Sequence, residues 1–97
     1  MTNRKEDPID DVFNSELEKF IHRDFTSAKT LDRDKHFLVD WDGFRYSVEI
    51  AKLEDDADHL LFLFAVFPTF ASAGKKRRDA TVWFGIDGRM EYRLQSL

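Results

Sequence analysis

The first apolar pattern in the chain has the three- and four-residue spacing of an amphipathic helix. The helix is predicted to begin at Asp7-Pro8, with an aspartate at the N-cap, a proline at the first helical position and acidic residues in the first turn. It is predicted to end near Asp24, because the periodicity is lost from Phe25 onward. The stripe that this helix must bury consists of Ile9, Val12, Phe13, Leu17, Phe20 and Ile21.

Two Asp-Gly pairs, each between runs of alternating apolar and polar residues, predict two β-hairpins. A two-residue loop at Asp42-Gly43 fixes the register of the first hairpin. One face is then rich in aromatic residues, with the facing pairs Trp41 and Phe44, Val39 and Tyr46, and Phe37 and Val48. The opposite face pairs Asp40 with Arg45 and His36 with Glu49, and we expect it to lie in water.

The second half of the chain has strands that are apolar on both faces, over His59 to Phe67 and Ala80 to Ile86. A two-residue loop at Asp87-Gly88 would pair the strand from Ala80 to Ile86 with the last strand of the chain. The facing residues would then be Trp83 and Tyr92, Thr81 and Leu94, Phe84 and Glu91, and Val82 and Arg93. The sequence therefore predicts an α+β fold, in which the N-terminal amphipathic helix packs on a five-stranded antiparallel meander. Strong curvature of the sheet, closing the core on itself, is an alternative arrangement.

One helix of this length covers only one face of a five-stranded sheet. If the aromatic face of the first hairpin lies under the helix, the second face of the central strands needs another cover. An apolar centre with a charged rim is typical of an interface. The predicted partner-binding residues on this second face are Phe62, Phe64, Val82, Phe84 and Arg93.

Two connecting loops carry concentrated charge. The acidic loop 54–58 lacks the alternation and glycine of a calcium-binding loop, so we interpret it as a solvated turn. The basic loop contains a candidate anion site made of Lys75, Lys76, Arg77 and Arg78, although a solvated loop is the simpler interpretation. His22, His36 and His59 show no metal-ligand spacing, and we predict no catalytic residue, metal site or cofactor.

Composition narrows the picture further. The 97 residues fit one domain, assigned to 7–97 after a polar leader at 1–6 that is expected to be disordered. The net charge is -4, so general attraction to nucleic acid or to an anionic membrane is not expected. Cysteine is absent, which excludes disulfides and thiol catalysis. The charged N-terminal segment resembles neither a signal peptide nor a membrane anchor, and we expect a soluble, cytoplasmic protein.

These observations lead to a functional hypothesis based on surfaces. The sequence favours a small protein-interaction module, an adaptor, regulator or chaperone-like subunit, which acts through a sheet face or edge and self-associates as a homodimer. One alternative is binding of nucleic acid or phosphate through loop 75–78. A second alternative is an enzyme or small-ligand pocket in a curved sheet, lined by Trp41, Tyr46, Trp83 and Tyr92.

Overall fold

The computed structural model describes residues 8–31, 34–69 and 77–95, and its elements follow the predicted order. The elements are the helices α1 (Ile9–Ile21) and α2 (Phe25–Lys29) and the strands β1 (Asp34–Trp41), β2 (Phe44–Asp55), β3 (His59–Pro68), β4 (Arg78–Gly85) and β5 (Met90–Gln95). The strands form one antiparallel sheet in the order β1-β2-β3-β4-β5. The predicted α+β fold is confirmed. The sheet is open, with β1 and β5 at its edges.

Helix α1 buries the predicted stripe against the two central strands, β3 and β4. Phe20 lies at the centre of the contact, with its ring centroid 5.2 Å from that of Phe62 and 5.6 Å from those of Phe64 and Phe84. The helix ends at Ile21, three residues earlier than predicted. The predicted N-cap, Asp7, and the leader at 1–6 lie outside the described residues.

The short helix α2 was not predicted. It begins after Asp24, whose side chain accepts a hydrogen bond of 2.8 Å from the backbone N–H of Ser27. This is an N-cap interaction, which satisfies one of the free N–H groups at a helix start. Ala28 is fully buried in the same core as α1, so α2 lies on the same face of the sheet.

The first hairpin has the predicted register. Asp42 and Gly43 both have positive φ angles, 52° and 84°, as a two-residue type I′ turn requires. Trp41 faces Phe44, and the remaining predicted pairs follow along both strands. The exposed pair on the other face is also confirmed, since Arg45 Nε donates to Asp40 Oδ1 over 2.8 Å.

The second hairpin differs from the prediction by one residue. Its loop has three residues, 86–88: Gly88 N–H donates to the Gly85 carbonyl over 3.0 Å, and Gly85 N–H donates to the Arg89 carbonyl over 2.8 Å. Gly88 has a φ of 95°, which is typical of a type I turn followed by a glycine bulge. The observed pairs are Phe84 with Met90, Trp83 with Glu91, Val82 with Tyr92 and Thr81 with Arg93.

This register overturns the predicted composition of the second face. Phe62, Phe64, Val82 and Phe84 lie on the face that carries α1, and each is at most 1% exposed. Two local features explain the error. The extra loop residue moves every β5 side chain to the other face, and an irregularity between Lys52 and Glu54 resets the register of β2 against β3. Of the five predicted partner-binding residues, only Arg93 lies on the opposite face.

Candidate interaction surface

The face of the sheet opposite α1 carries a continuous set of apolar side chains, which we call the uncovered face. The register places in its centre Leu61, Leu63, Ala65, Phe67, Thr81 and Trp83. Ala65 is buried and the other five are half-buried. Both helices lie on the other side of the sheet, so within the described residues neither α1 nor α2 packs on this face.

Charged residues surround this apolar centre. Arg89 lies 5.6 Å from the ring centroid of Trp83, and Arg77 lies 5.8 Å from that of Phe67. Glu91 and Arg93 line a shallow depression of about 370 Å³ whose floor includes Leu61 and Trp83. Both distances are within the range of cation–π contacts, so each arginine lies beside an aromatic ring of the uncovered face. The predicted anatomy, an apolar centre with a charged rim, therefore exists, although other residues build its centre.

Sequence reasoning missed Leu61, Leu63, Phe67 and Trp83 as members of this face. The signal was present, because the run from His59 to Phe67 is apolar at every second position in both phases. What could not be derived was which phase lies under the helix, since that depends on the β2–β3 register.

Glycine at position 85 allows the indole of Trp83 to lie flat along the sheet end. A Cβ atom built at Gly85 would lie 2.7 Å from Cη2 of Trp83, which is closer than side chains tolerate. On the same indole, His59 stacks with an interplanar angle of 19° and a centroid separation of 6.1 Å. Trp83 is therefore held in one orientation at the edge of the uncovered face.

The acidic loop is built around His59. Its Nε2 lies 2.8 Å from Glu54 Oε1 and 3.3 Å from Asp56 Oδ2, and its Nδ1 lies 3.0 Å from Asp58 Oδ1. Hydrogen bonds to Glu54 and then to Asp58 raise the pKa of His59 above its ordinary value. Within the described part of the chain, the ligand atoms of Glu54, Asp56 and His59 lie within 4.8 Å of one another. When His59 is protonated, it supplies a counter-charge to the carboxylates of the acidic turn.

The other histidines lie elsewhere. His36 Nε2 is 2.6 Å from Ser47 Oγ on the neighbouring strand, and His22 is 3.8 Å from Glu18 on α1. The structure brings neither of them to His59. The aromatic residues predicted to line a pocket are also separated, because Trp41, Tyr46 and Tyr92 lie on the helix side and Trp83 on the uncovered face.

Two of the four cations in the candidate anion site have partners on the protein. Arg77 Nε donates to both carboxylate oxygens of Asp79 over 3.0 Å, and Arg78 Nε donates to Asp10 Oδ1 over 2.6 Å. Arg78 thereby ties the start of β4 to the first turn of α1. Lys75 and Lys76 lie outside the described residues.

Comparisons of this chain with protein-family models, with curated proteins and with solved structures found no match. Neither helix in the described part of the chain has the length and apolar character needed to cross a bilayer.

Proposed function

We propose that this protein is an interaction module that binds another polypeptide through the uncovered face. The observation that carries the proposal is the row of half-buried apolar side chains on β3 and β4, Leu61, Leu63, Thr81 and Trp83, with charged residues around it. Interfaces combine an apolar core that excludes water with a polar rim that sets orientation.

The chemistry of the rim indicates what kind of segment would bind. Leu63 and Thr81 lie in one row with Arg93, and Leu61 and Trp83 lie in the next row with Glu91. A ligand that places apolar side chains over the β3 and β4 residues of these two rows would meet the positive Arg93 and the negative Glu91 on β5. We therefore expect a short amphipathic segment with apolar anchors and a charge of either sign at its flank.

We expect binding rather than catalysis, because several charged groups on or beside this face are paired with one another, whereas Glu91 and Arg93 make no ion pair within the described residues. The carboxylates near Trp83 are bound to His59, and Asp79 is bound to Arg77. A partner is then recognised mainly by apolar contact, and the charged groups supply specificity.

A peptide selection tests the proposal. Peptides would be selected from a random library on the immobilised protein, and their affinities measured by calorimetry for the wild type and for Leu63→Gln. We expect Leu63→Gln to weaken binding by about tenfold or more, because truncating an anchor residue in the centre of an interface costs about 2 kcal/mol or more. Amide shifts in a 15N–1H titration should be largest on β3 and β4.

Val39→Gln is the matched control. Val39 is a half-buried branched apolar residue on β1, but its side chain lies on the helix face. Peptides should bind Val39→Gln as they bind the wild type, provided that thermal unfolding shows both variants to be folded. Equal affinity for the wild type and Leu63→Gln, or largest shifts away from β3 and β4, would refute the proposal.

A further inference from the structure

Strand β5 is an edge strand whose outer side is bare among the described strands. It runs from Met90 to Gln95 and, within residues 8–31, 34–69 and 77–95, pairs with β4 alone. It contains no proline or lysine, two residues that commonly prevent an edge strand from pairing with another strand. Its helix-side residues Tyr92 and Leu94 are 48% and 58% exposed, so two large apolar side chains are accessible at this edge.

The hydrogen-bond pattern of the second hairpin shows which backbone groups point outward. Gly85 N–H donates to the Arg89 carbonyl, so these two residues form a hydrogen-bonded pair. Such pairs alternate with non-hydrogen-bonded pairs along an antiparallel ladder. Counting along β5, the backbone groups of Glu91 and Arg93 point toward β4, and those of Met90, Tyr92 and Leu94 point outward.

The charges on the opposite face of β5 have no partner in the described residues. Glu91 and Arg93 are both exposed, and neither makes an ion pair within the ranges that the structure covers. They are two positions apart on one face of one strand, with Tyr92 between them. A two-fold axis midway between Tyr92 and Tyr92 of a second copy would therefore place Glu91 of one copy opposite Arg93 of the other.

We infer that β5 binds β5 of a second copy of this chain, antiparallel and centred on Tyr92. In this register Tyr92 faces Tyr92 of the second copy, Met90 faces its Leu94, and Glu91 faces its Arg93. The tyrosines and the Met–Leu pairs are the hydrogen-bonded positions, so all the outward backbone groups of Met90, Tyr92 and Leu94 gain partners. The charge pairs fall at non-hydrogen-bonded positions, where facing side chains are closest.

A shift of register loses this complementarity. Centring the pair on Arg93 would place the two arginines opposite each other, and centring it on Glu91 would do the same for the two glutamates. Like charges directly opposite each other destabilise a sheet. The apolar contacts also depend on this register, because only the centre at Tyr92 places Met90 against Leu94 and the two tyrosines together.

The other edge strand, β1, is less suited to this kind of pairing. Asp40 on β1 is already bound to Arg45 at 2.8 Å. The remaining charged pair, Asp34 and Lys35, consists of adjacent residues whose side chains alternate to opposite faces, so they cannot complement each other across a two-fold axis.

Pairing through β5 gives the assembly a defined shape. A two-fold axis that relates hydrogen-bonded edge strands is perpendicular to the sheet, so both copies of α1 lie on one side of a ten-stranded sheet. Both uncovered faces then lie together on the other side. A ligand with two binding segments could occupy both at once.

Charge reversal tests the inference directly. Light scattering and sedimentation velocity over a concentration series should show a dimer for the wild type. Glu91→Arg and Arg93→Glu should each raise the dimer dissociation constant by about tenfold or more, since each changes two opposite-charge pairs into like-charge pairs. An equimolar mixture of the two variants should form a heterodimer, and the double variant E91R/R93E should dimerise as the wild type does.

Glu18→Arg supplies the control, because it makes the same charge change at an exposed position on α1. It should dimerise as the wild type does. The rescue in the mixture also separates loss of pairing from loss of folding, since misfolded variants would not restore each other. A monomeric wild type, or single variants that dimerise as well as the wild type, would overturn the inference. Pairing of β5 and peptide binding to Leu63 can each fail without the other.

Discussion

Substitution of Phe20 by alanine tests how α1 holds the sheet. Phe20 is 3% exposed, and its ring contacts three aromatic rings on β3 and β4. Removing a buried phenylalanine side chain costs about 3–5 kcal/mol, from lost transfer free energy and from the cavity that remains. A domain of this size has a free energy of unfolding of about 5–15 kcal/mol, so the loss is a large fraction of the total.

Phe20→Leu separates aromatic contacts from apolar volume. Leucine keeps most of the buried surface but forms none of the three ring pairs, which at about 0.5 kcal/mol each amount to about 1.5 kcal/mol. Urea denaturation followed by tryptophan fluorescence gives the free energy of unfolding for each variant. Glu18→Ala, at an exposed position of the same helix, should change it by no more than about 0.5 kcal/mol.

The refuting result is specific. If Phe20→Ala lowers the free energy of unfolding by less than about 1 kcal/mol, and the slope of that free energy against urea concentration is unchanged, then α1 does not pack on β3 and β4 as described. A larger loss for Phe20→Leu than for Phe20→Ala would also contradict the reasoning, because the leucine fills more of the site.

Two further predictions concern the second hairpin and the acidic turn. Gly88→Ala should lower the free energy of unfolding by about 1–2 kcal/mol, because Gly88 has a φ of 95° and an added Cβ meets no other atom, which leaves backbone strain as the only cost. Ile86→Ala, at an exposed position of the same loop, should have little effect in the same urea titration. Equal effects of the two substitutions would contradict this prediction. His59→Gln should destabilise the protein at about pH 5.5 and much less at about pH 8.5, because a raised pKa means that the stabilisation is complete below the unfolded-state pKa of about 6.5 and is lost as pH rises through the folded-state pKa. A difference in unfolding midpoint that does not vary with pH would contradict it.

The parts of the fold that short-range rules control could be predicted from the sequence. The stripe of α1 follows from helical spacing, and the first hairpin follows from Asp42-Gly43, since a two-residue loop permits one register. The same dipeptide type at Asp87-Gly88 failed because Gly88 occupies the third loop position and not the second. The choice between these loops depends on how the flanking strands pair, and the dipeptide alone does not report it.

The residues of the candidate site could be assigned only by knowing how distant strands pair, because the pairing decides which face of the sheet each side chain occupies. Sequence reasoning indicated that one sheet face would remain apolar and rimmed by charge, and the structure has such a face. It assigned Phe62 and Phe84 to that face, whereas both lie against Phe20. The residues on the two faces of β3 and of β4 are about equally apolar, so only contact with the helix distinguishes the two faces. The helix α2 was missed because five residues are too few for a periodic pattern to be detected.

The docking of α1 on the third and fourth strands has a consequence for synthesis of the chain. Phe20 leaves the ribosome first, but one of its ring partners, Phe84, follows 64 residues later. At about 5–20 residues per second, the helix segment waits about 3–13 seconds for that partner. During that interval the nascent chain presents an apolar stripe that only later strands can bury, and cellular factors that hold such segments have time to engage it.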